Sequence, residues 1–573
     1  MTAYASFFLG LGRLPLLEPD EGRNAEVGRE MLALGRWLTP HYDGLVYLDK
    51  PPMLFWWMAG SFKLFGLSAW AARLPSALAA LAVLLLTGYL AKRMFSGSVA
   101  LRSGIIFATA PLVMVFARLV IFDMLLTLWV TLALLCFWLN EGAASRSVLA
   151  DVSAFAAMGL ATLTKGPVGF LLPALVVFAY WALRGRLREI QKLHWKWGLA
   201  VFAAIVLPWF VVVSIRHPDF PRYALWDESL RRFATSSAHR QGSPLYYLPV
   251  YLAGFLPWSF FLLACGLGRI RRWRELLHED GAPNLFLVCW VGVIFVFFSI
   301  SQSKLPGYFL PATVPLSLLV GKVWTEAESA AHGHLPGWMT GGFVALILLG
   351  LTGLVAWQLW GYAAHGSRLA HKLPPDVLPL VKPELLYSGL IVIALAMLSR
   401  NLMRRARRRW AGPSSLAVVA LTGPLLILRW YRPLKLYAAV NSSRALAATI
   451  QKSAEKDWPI YGYYYFRTGL PFYLRRPVGL ITADADELTS NYQVSRWRRM
   501  STKSAGRWLP RGISQALGWP SSHPLLVRAK DWRGRAALVI TRGVQAPILP
   551  GAEAVPRWTG WGTTVWKVRM PAR

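Results

Sequence analysis

Apolar blocks of roughly twenty residues recur along the first three-quarters of this chain, and a helix of about twenty residues spans a hydrocarbon core of about 30 Å. A segment in lipid must satisfy its own backbone hydrogen bonds, so repeated blocks commit the chain to a bundle of spanning helices. Composition agrees: 55% of the 573 residues are hydrophobic, 16% are charged and mean hydropathy is +0.40. An ordinary soluble domain is about 45–50% apolar and about 25% charged. A soluble enzyme, a disordered chain and a fibrous protein are thereby excluded. Cys136, Cys265 and Cys289 all lie inside apolar blocks, so neither a disulfide framework nor a zinc ribbon is available.

Apolar segments run near 3–17, 68–90, 98–117, 122–140, 148–163, 166–183, 197–215, 245–268, 283–300, 305–320, 338–360, 384–402 and 412–430. They predict about thirteen transmembrane helices. The first is short for a span and has neither a basic leader nor a small-residue cleavage site, which suggests a helix beginning before residue 1 rather than a signal peptide. Every second connection is basic: Lys92 and Arg93; Arg184, Arg186, Arg188, Lys192 and Lys196; Arg269, Arg271, Arg272 and Arg274; Arg404, Arg405, Arg407, Arg408 and Arg409. Each cluster alone could be a snorkelling face, but their alternation places them in the cytoplasm. Residues 18–67, 216–244, 361–383 and everything after about 431 then face outward.

Residues 431–573 carry 23 Lys and Arg against 7 Asp and Glu, within a net charge of +34 for the whole chain. No window there is apolar enough to span. Strand-like runs at Pro459–Tyr465, Ala537–Thr541 and Thr564–Val568, with helix-like Ser442–Ser453, predict a small outer α/β domain. Its basic charge is a solvated face or an attraction to anionic lipid head groups. The expected division is a membrane domain over 1–430, including the outer loop 18–67, and a soluble domain over 431–573.

Chemistry is expected at outer helix ends. Asp20-Glu21 follows the first apolar segment directly, and Glu21–Leu34 sets Ala25, Val27, Met31 and Leu32 against Arg23, Glu26, Arg29 and Glu30, a pattern suited to lying in the interface. Asp123, in LVIFDMLLTLW, begins a long apolar helix, where an ionised group is expensive without a partner or a task. It either caps that helix or acts on a substrate, and the two are compatible. The topology places Asp20 and Asp123 on the same side of the membrane. Lys50 follows Tyr47-Leu48-Asp49, Lys165 lies in LTKGP, and Lys304 opens KLPGYFLP with Tyr308. Lysines beside prolines suit a phosphate at the boundary, or they snorkel. Arg23 is a partner for Asp20 or a phosphate clamp.

The stretches PDEGRNAEVGREML, TPHYDGLVYLDKPPMLFWW, LTKGP and SKLPGYFLP, together with Asp123, resemble the dolichyl-phosphate-mannose-protein mannosyltransferase-like group. Within it they are most similar to the bacterial 4-amino-4-deoxy-L-arabinose transferases that modify lipid A. The resemblance covers roughly residues 1–430. It implies a GT-C fold with about thirteen transmembrane helices and an outer α/β tail, and a sugar donor carried on a polyprenyl monophosphate. It assigns Asp20 and Asp123 as the catalytic acids, Lys50 with Tyr47 at the carrier phosphate, and, more loosely, Arg23, Lys165, Lys304 and Tyr308 there too. Asp49 stands where that subgroup often has Glu, which leaves the sugar open.

The expected reaction is a metal-independent, inverting displacement of undecaprenyl phosphate by a lipid A phosphate, in which positioning and charge neutralisation outweigh general-base chemistry. No cofactor is required. Asp49 and His239 are two candidate ligands for a divalent ion, too few for a site. The expected partners are the donor, lipid A or another anionic acceptor, and membrane lipid, with no nucleic acid. The expected location is the bacterial inner membrane, with the active site facing the periplasm. Transfer to protein or to another envelope glycan is the alternative. A polyprenyl-lipid transporter is a third reading, disfavoured because the charges gather on one face and no repeat is visible.

Overall fold

The structure is a computed structural model that describes residues 2–141, 145–231, 242–330, 335–364, 374–405, 411–499, 506–520, 523–532, 536–549, 552–560 and 562–569. Two compact units emerge. One comprises residues 1–11, 76–208 and 229–437; the other comprises 12–75, 209–228 and 438–573. The loop 18–67 therefore lies in the same unit as the C-terminal tail from residue 438 onward.

The first unit is helical. Among the described residues, eight helices are long and apolar enough to cross a membrane: Ala69–Met94, Asp123–Asn140, Val148–Lys165, Trp195–Arg216, Ala282–Ile300, Gly337–Trp360, Leu378–Arg404 and Ala411–Arg429. Pro244–Gly254 and Trp258–Gly266, bent by 119°, make a ninth if taken as one broken span. Gly97–Thr109 and Val168–Leu183 are apolar but shorter. The count of thirteen is thus not reproduced by full-length helices, for local reasons. The segment 3–17 contains only the six-residue helix Thr2–Phe7, because Gly10 at φ +73° turns the chain. The segment 305–320 opens as a 3₁₀ turn, Pro306–Ala312, whose prolines lack donors, and only then becomes the helix Thr313–Ala330.

Aromatic packing dominates the unit's interior. Phe137, Tyr180, Trp181 and Phe286 meet edge-on or stacked, with centroids 5.1–6.2 Å apart, distances at which ring quadrupoles attract.

The second unit begins with the helix Asp20–Leu34, ended by Gly35 at φ +62°, whose N–H reaches the Leu32 carbonyl. A short hairpin follows, β1 (His41–Tyr42) and β2 (Leu45–Val46), turning through Asp43 and Gly44, and then the helix Met53–Phe65. The tail forms a seven-stranded sheet: β3 (Ile460–Tyr463), β4 (Gly479–Ile481), β5 (Gly506–Arg507), β6 (Leu526–Val527), β7 (Ala536–Arg542), β8 (Glu553–Gly560) and β9 (Thr563–Arg569), in the order β5-β6-β4-β3-β7-β9-β8. Strands β6, β4, β3 and β7 pair in parallel, and β7, β9 and β8 pair antiparallel. The three strand-like runs and the helix-like segment of the tail appear as β3, β7, β9 and the helix Arg444–Gln451. The inner strands read as near-continuous apolar runs because both faces are covered.

The helix Asp20–Leu34 departs from the interfacial reading. Glu21, Glu26, Arg29 and Glu30 on its polar face are buried, along with Ala25, Val27 and Met31. One side meets Met58 and Phe62 at Gly28, and another meets Gly469 at Gly22. Packing within the unit covers these four polar side chains, so they are satisfied internally instead of facing water.

Candidate functional site

Asp20 and Glu21 are adjacent in sequence but differ in environment. Both sit in the first turn of their helix, where a carboxylate complements the dipole. Glu21 is buried, held by Arg73 at 2.8 and 2.7 Å, and accepts the Leu17 N–H at 2.9 Å. Asp20 keeps 44% of its side chain exposed and pairs with Arg23 at 2.5 Å. Arg23 also donates to the Thr489 carbonyl at 3.0 Å and to the Thr489 hydroxyl at 2.9 Å, and its guanidinium lies 6.0 Å from the centroid of Tyr47. Tyr47 is fixed edge-on between Tyr42 and Phe55 at 6.0 and 5.9 Å, and burial pushes its phenol up from the usual tyrosine range.

Lys50 forms an ion pair with Glu228, at the close of the chain segment 209–228. Neighbouring Asp49 is buried; it accepts the Tyr223 hydroxyl at 2.5 Å, the Tyr492 N–H at 2.8 Å and a hydrogen bond from Ser490. Burial, reinforced by the Glu228 charge, raises its carboxyl above the usual range. Asp49 thus caps the helix Asn491–Arg499, which gives it a structural task distinct from the suggested metal. Its suggested partner, His239, lies outside the described residues. Among the described residues no three His, Cys, Asp or Glu side chains are grouped as a metal would require.

Behind these groups is a buried charge cluster. Arg29 binds Glu26 through two bonds of 2.7 and 2.6 Å, and both Glu30 oxygens accept the Gly44 N–H at 2.9 Å. Asp43, at φ +53°, accepts the Val478 N–H at 2.8 Å. Burial raises both Glu30 and Asp43 well above the usual carboxylate range.

In the helical unit, Asp123 begins its helix but makes no side-chain cap. Its carboxylate instead meets Lys165 at 2.6 Å, and the ammonium lies 4.4 Å from the centroid of Tyr308. Gly307 makes this possible, since a Cβ there would fall 2.3 Å from Phe116 and 2.8 Å from the Asp123 carboxyl. Three of the residues named from sequence thus come together. Lys304 has different partners. Its ammonium donates to the carbonyls of Phe298, Ser299 and Ser301 at 3.3, 2.8 and 2.6 Å. An ammonium has three protons, and these three bonds close the end of the Ala282–Ile300 helix. The structure thus places the Lys304 ammonium on backbone carbonyls, whereas Lys165 meets a carboxylate.

Sequence reading missed Glu228 and the segment Thr489–Gln493. The acidic pair Asp227-Glu228 in WDESLRR was the available signal for Glu228. Nothing in the polar run TSNYQ marks the other.

Residues 18–224 match the family described as dolichyl-phosphate-mannose-protein mannosyltransferase, and residues 446–517 match the aminoarabinose transferase C-terminal domain. The chain is 33% identical to an undecaprenyl phosphate-alpha-4-amino-4-deoxy-L-arabinose arabinosyl transferase of Edwardsiella ictaluri, over 72% of this chain and 73% of that protein. It is 31% identical to one from Pseudomonas fluorescens, over 74% of each. The crystal structure of ArnT from Cupriavidus metallidurans bound to undecaprenyl phosphate is 28% identical, with a TM-score of 0.79 over 99% of this chain and 96% of that one. An archaeal oligosaccharyltransferase, AglB from Archaeoglobus fulgidus, is 12% identical with a TM-score of 0.51, over 94% of this chain and 68% of that one, and shares the fold alone.

Proposed function

The chain belongs to the undecaprenyl phosphate-alpha-4-amino-4-deoxy-L-arabinose arabinosyl transferase family, and we propose that it moves that aminopentose from undecaprenyl phosphate to a phosphate of lipid A at the periplasmic face of the bacterial inner membrane. The observation that carries the reading is the pairing of a half-exposed Asp20 with a fastened Arg23, in the same unit as Lys50 and within the stretch matched to the transferase family.

The chemistry balances without a separate proton donor. The bond between the anomeric carbon and the carrier phosphate oxygen breaks, and the electron pair leaves with that phosphate. A lipid A phosphate oxygen, already ionised, forms the new bond from the opposite face. What the protein supplies is charge and position. Lys50 and Arg23 neutralise the departing phosphate, with Tyr47 beside Arg23. Asp20 holds the sugar, its carboxylate matching a free amine. In the helical unit the proposal assigns Asp123 as a second acid, with Lys165 and Tyr308 as phosphate-binding groups. As proposed, the neutralising charges are side-chain cations, and no metal ion is needed.

Mass spectrometry of lipid A from cells with and without the gene tests the proposal. An added aminopentose is expected only with the gene, and D20N is expected to abolish it while leaving the protein in the membrane. Unmodified lipid A, with the sugar found on protein or on another glycan, would overturn it.

A further inference from the structure

Five consecutive residues after β4 each engage the outer loop or its neighbours. The Thr489 carbonyl and hydroxyl accept from Arg23 at 3.0 and 2.9 Å. Ser490 donates to Asp49. Asn491 donates to Glu228, the partner of Lys50, at 3.4 Å. The Tyr492 N–H reaches Asp49 at 2.8 Å, its hydroxyl donates to Asp219 at 3.1 Å, and its ring meets Tyr223 edge-on at 5.1 Å. The Gln493 amide donates to the Val46 carbonyl. Thr489 adopts φ +54°, a left-handed conformation that a β-branched residue keeps only where its surroundings impose it.

We propose that Thr489–Gln493 is a clasp of positioning residues that holds Arg23 and Lys50 ready for the carrier phosphate; this rests on the transfer reaction proposed above. Arginine and lysine lose rotamer entropy when ordered, and partners that order them beforehand lower the cost at the moment of binding. Thr489 acts on Arg23 directly. Asn491 acts on Lys50 through Glu228. Ser490 and Tyr492 secure Asp49, one residue before Lys50, and Gln493 secures Val46 at the start of the same loop. The tail thereby becomes a working part of the phosphate site, which explains why its polar run packs against three separate stretches of the chain, 20–34, 46–50 and 219–228.

A double-mutant cycle on the full-length purified protein tests this, with undecaprenyl phosphate affinity, donor KM, kcat and melting temperature as readouts. T489V is isosteric and removes one of two bonds to Arg23. It is expected to weaken carrier affinity and raise KM about 3- to 10-fold, the scale of one hydrogen bond to a charged group, with little change in melting temperature. T489S is expected to restore wild-type values. In an R23A background, T489V should add nothing further. Unchanged affinity in T489V, equal loss in T489S, or additive losses in the double variant would each overturn the clasp. If T489V does not fold, N491A with E228A makes the corresponding cycle, since the Asn491 side chain is exposed: N491A alone should weaken carrier affinity and should add nothing in the E228A background, and unchanged affinity or additive losses would overturn the clasp. A wild-type protein that binds undecaprenyl phosphate yet transfers no aminopentose would sink the reaction instead, and carrier affinity would still decide the clasp.

Discussion

The Asp123 carboxylate and the Lys165 ammonium, 42 positions apart, close to 2.6 Å, with each side chain only 13% exposed. Removing one charge from such a pair strands the other in a poorly hydrated place. D123N is therefore expected to cost about 1–3 kcal/mol of stability, at the lower end for a buried pair because some water remains. The double variant D123N/K165M should recover part of that loss. Thermal unfolding in detergent checks both, and a D123N protein as stable as wild type would mean that the pair is not coupled.

Lys50 and Glu228 make a different kind of pair, partly exposed and open to competition by an anion. In E228Q the amide still accepts a hydrogen bond from Lys50 but no longer competes as a charge. Undecaprenyl phosphate is expected to bind E228Q about 3- to 10-fold more tightly, and K50A more weakly, the scale of a charge-assisted hydrogen bond. Titration of the carrier into each purified variant measures this. Equal binding by wild type and K50A would remove Lys50 from the phosphate site.

Gly22 lies between Asp20 and Arg23 in the first turn of their helix, and a Cβ there would sit 2.5 Å from the Gly469 Cα. Backbone on the far side cannot yield as a flexible side chain would. G22A should displace the helix that carries Asp20 and Arg23, lowering transfer and melting temperature together. Gly60, in the helix Met53–Phe65, has open space around its Cα. G60A should instead be neutral or stabilising by up to about 1 kcal/mol, from helix propensity alone. Parallel melting curves and transfer assays separate the two.

Asp43 and His41 bend the stability profile in opposite directions. Burial raises Asp43, so its contribution is complete below about pH 4, the ordinary carboxylate value, and declines as pH rises towards its folded value. D43N, which still accepts the Val478 N–H and tolerates positive φ, should melt less pH-dependently on the alkaline side. Burial lowers His41 from 6.5 to about 4, so its contribution is complete above about 6.5 and fades as pH falls towards 4. H41Q should flatten that acid limb. Melting temperature measured from pH 4 to 9 tests both signs.

Periodicity and length alone determined the helical membrane class, the α/β tail and the positions of β3, β7 and β9, because these follow from hydrophobic pattern. The acidic and basic residues at helix ends were legible for a related reason, since charge beside an apolar block is costly unless it is used or paired. Pattern could not decide which charge pairs with which. Asp20 and Glu21 are neighbours of identical charge, yet Arg73 buries one and leaves the other half exposed. Lys304 and Lys165 both stand beside prolines or glycines, but one closes a helix end while the other meets Asp123. Local sequence does not show what Glu228 and Thr489 do, because their roles depend on partners 178 and 466 positions away. Hydrophobic periodicity acts over a few residues and is written locally; the pairing of buried polar groups depends on distances that only the folded chain brings into being.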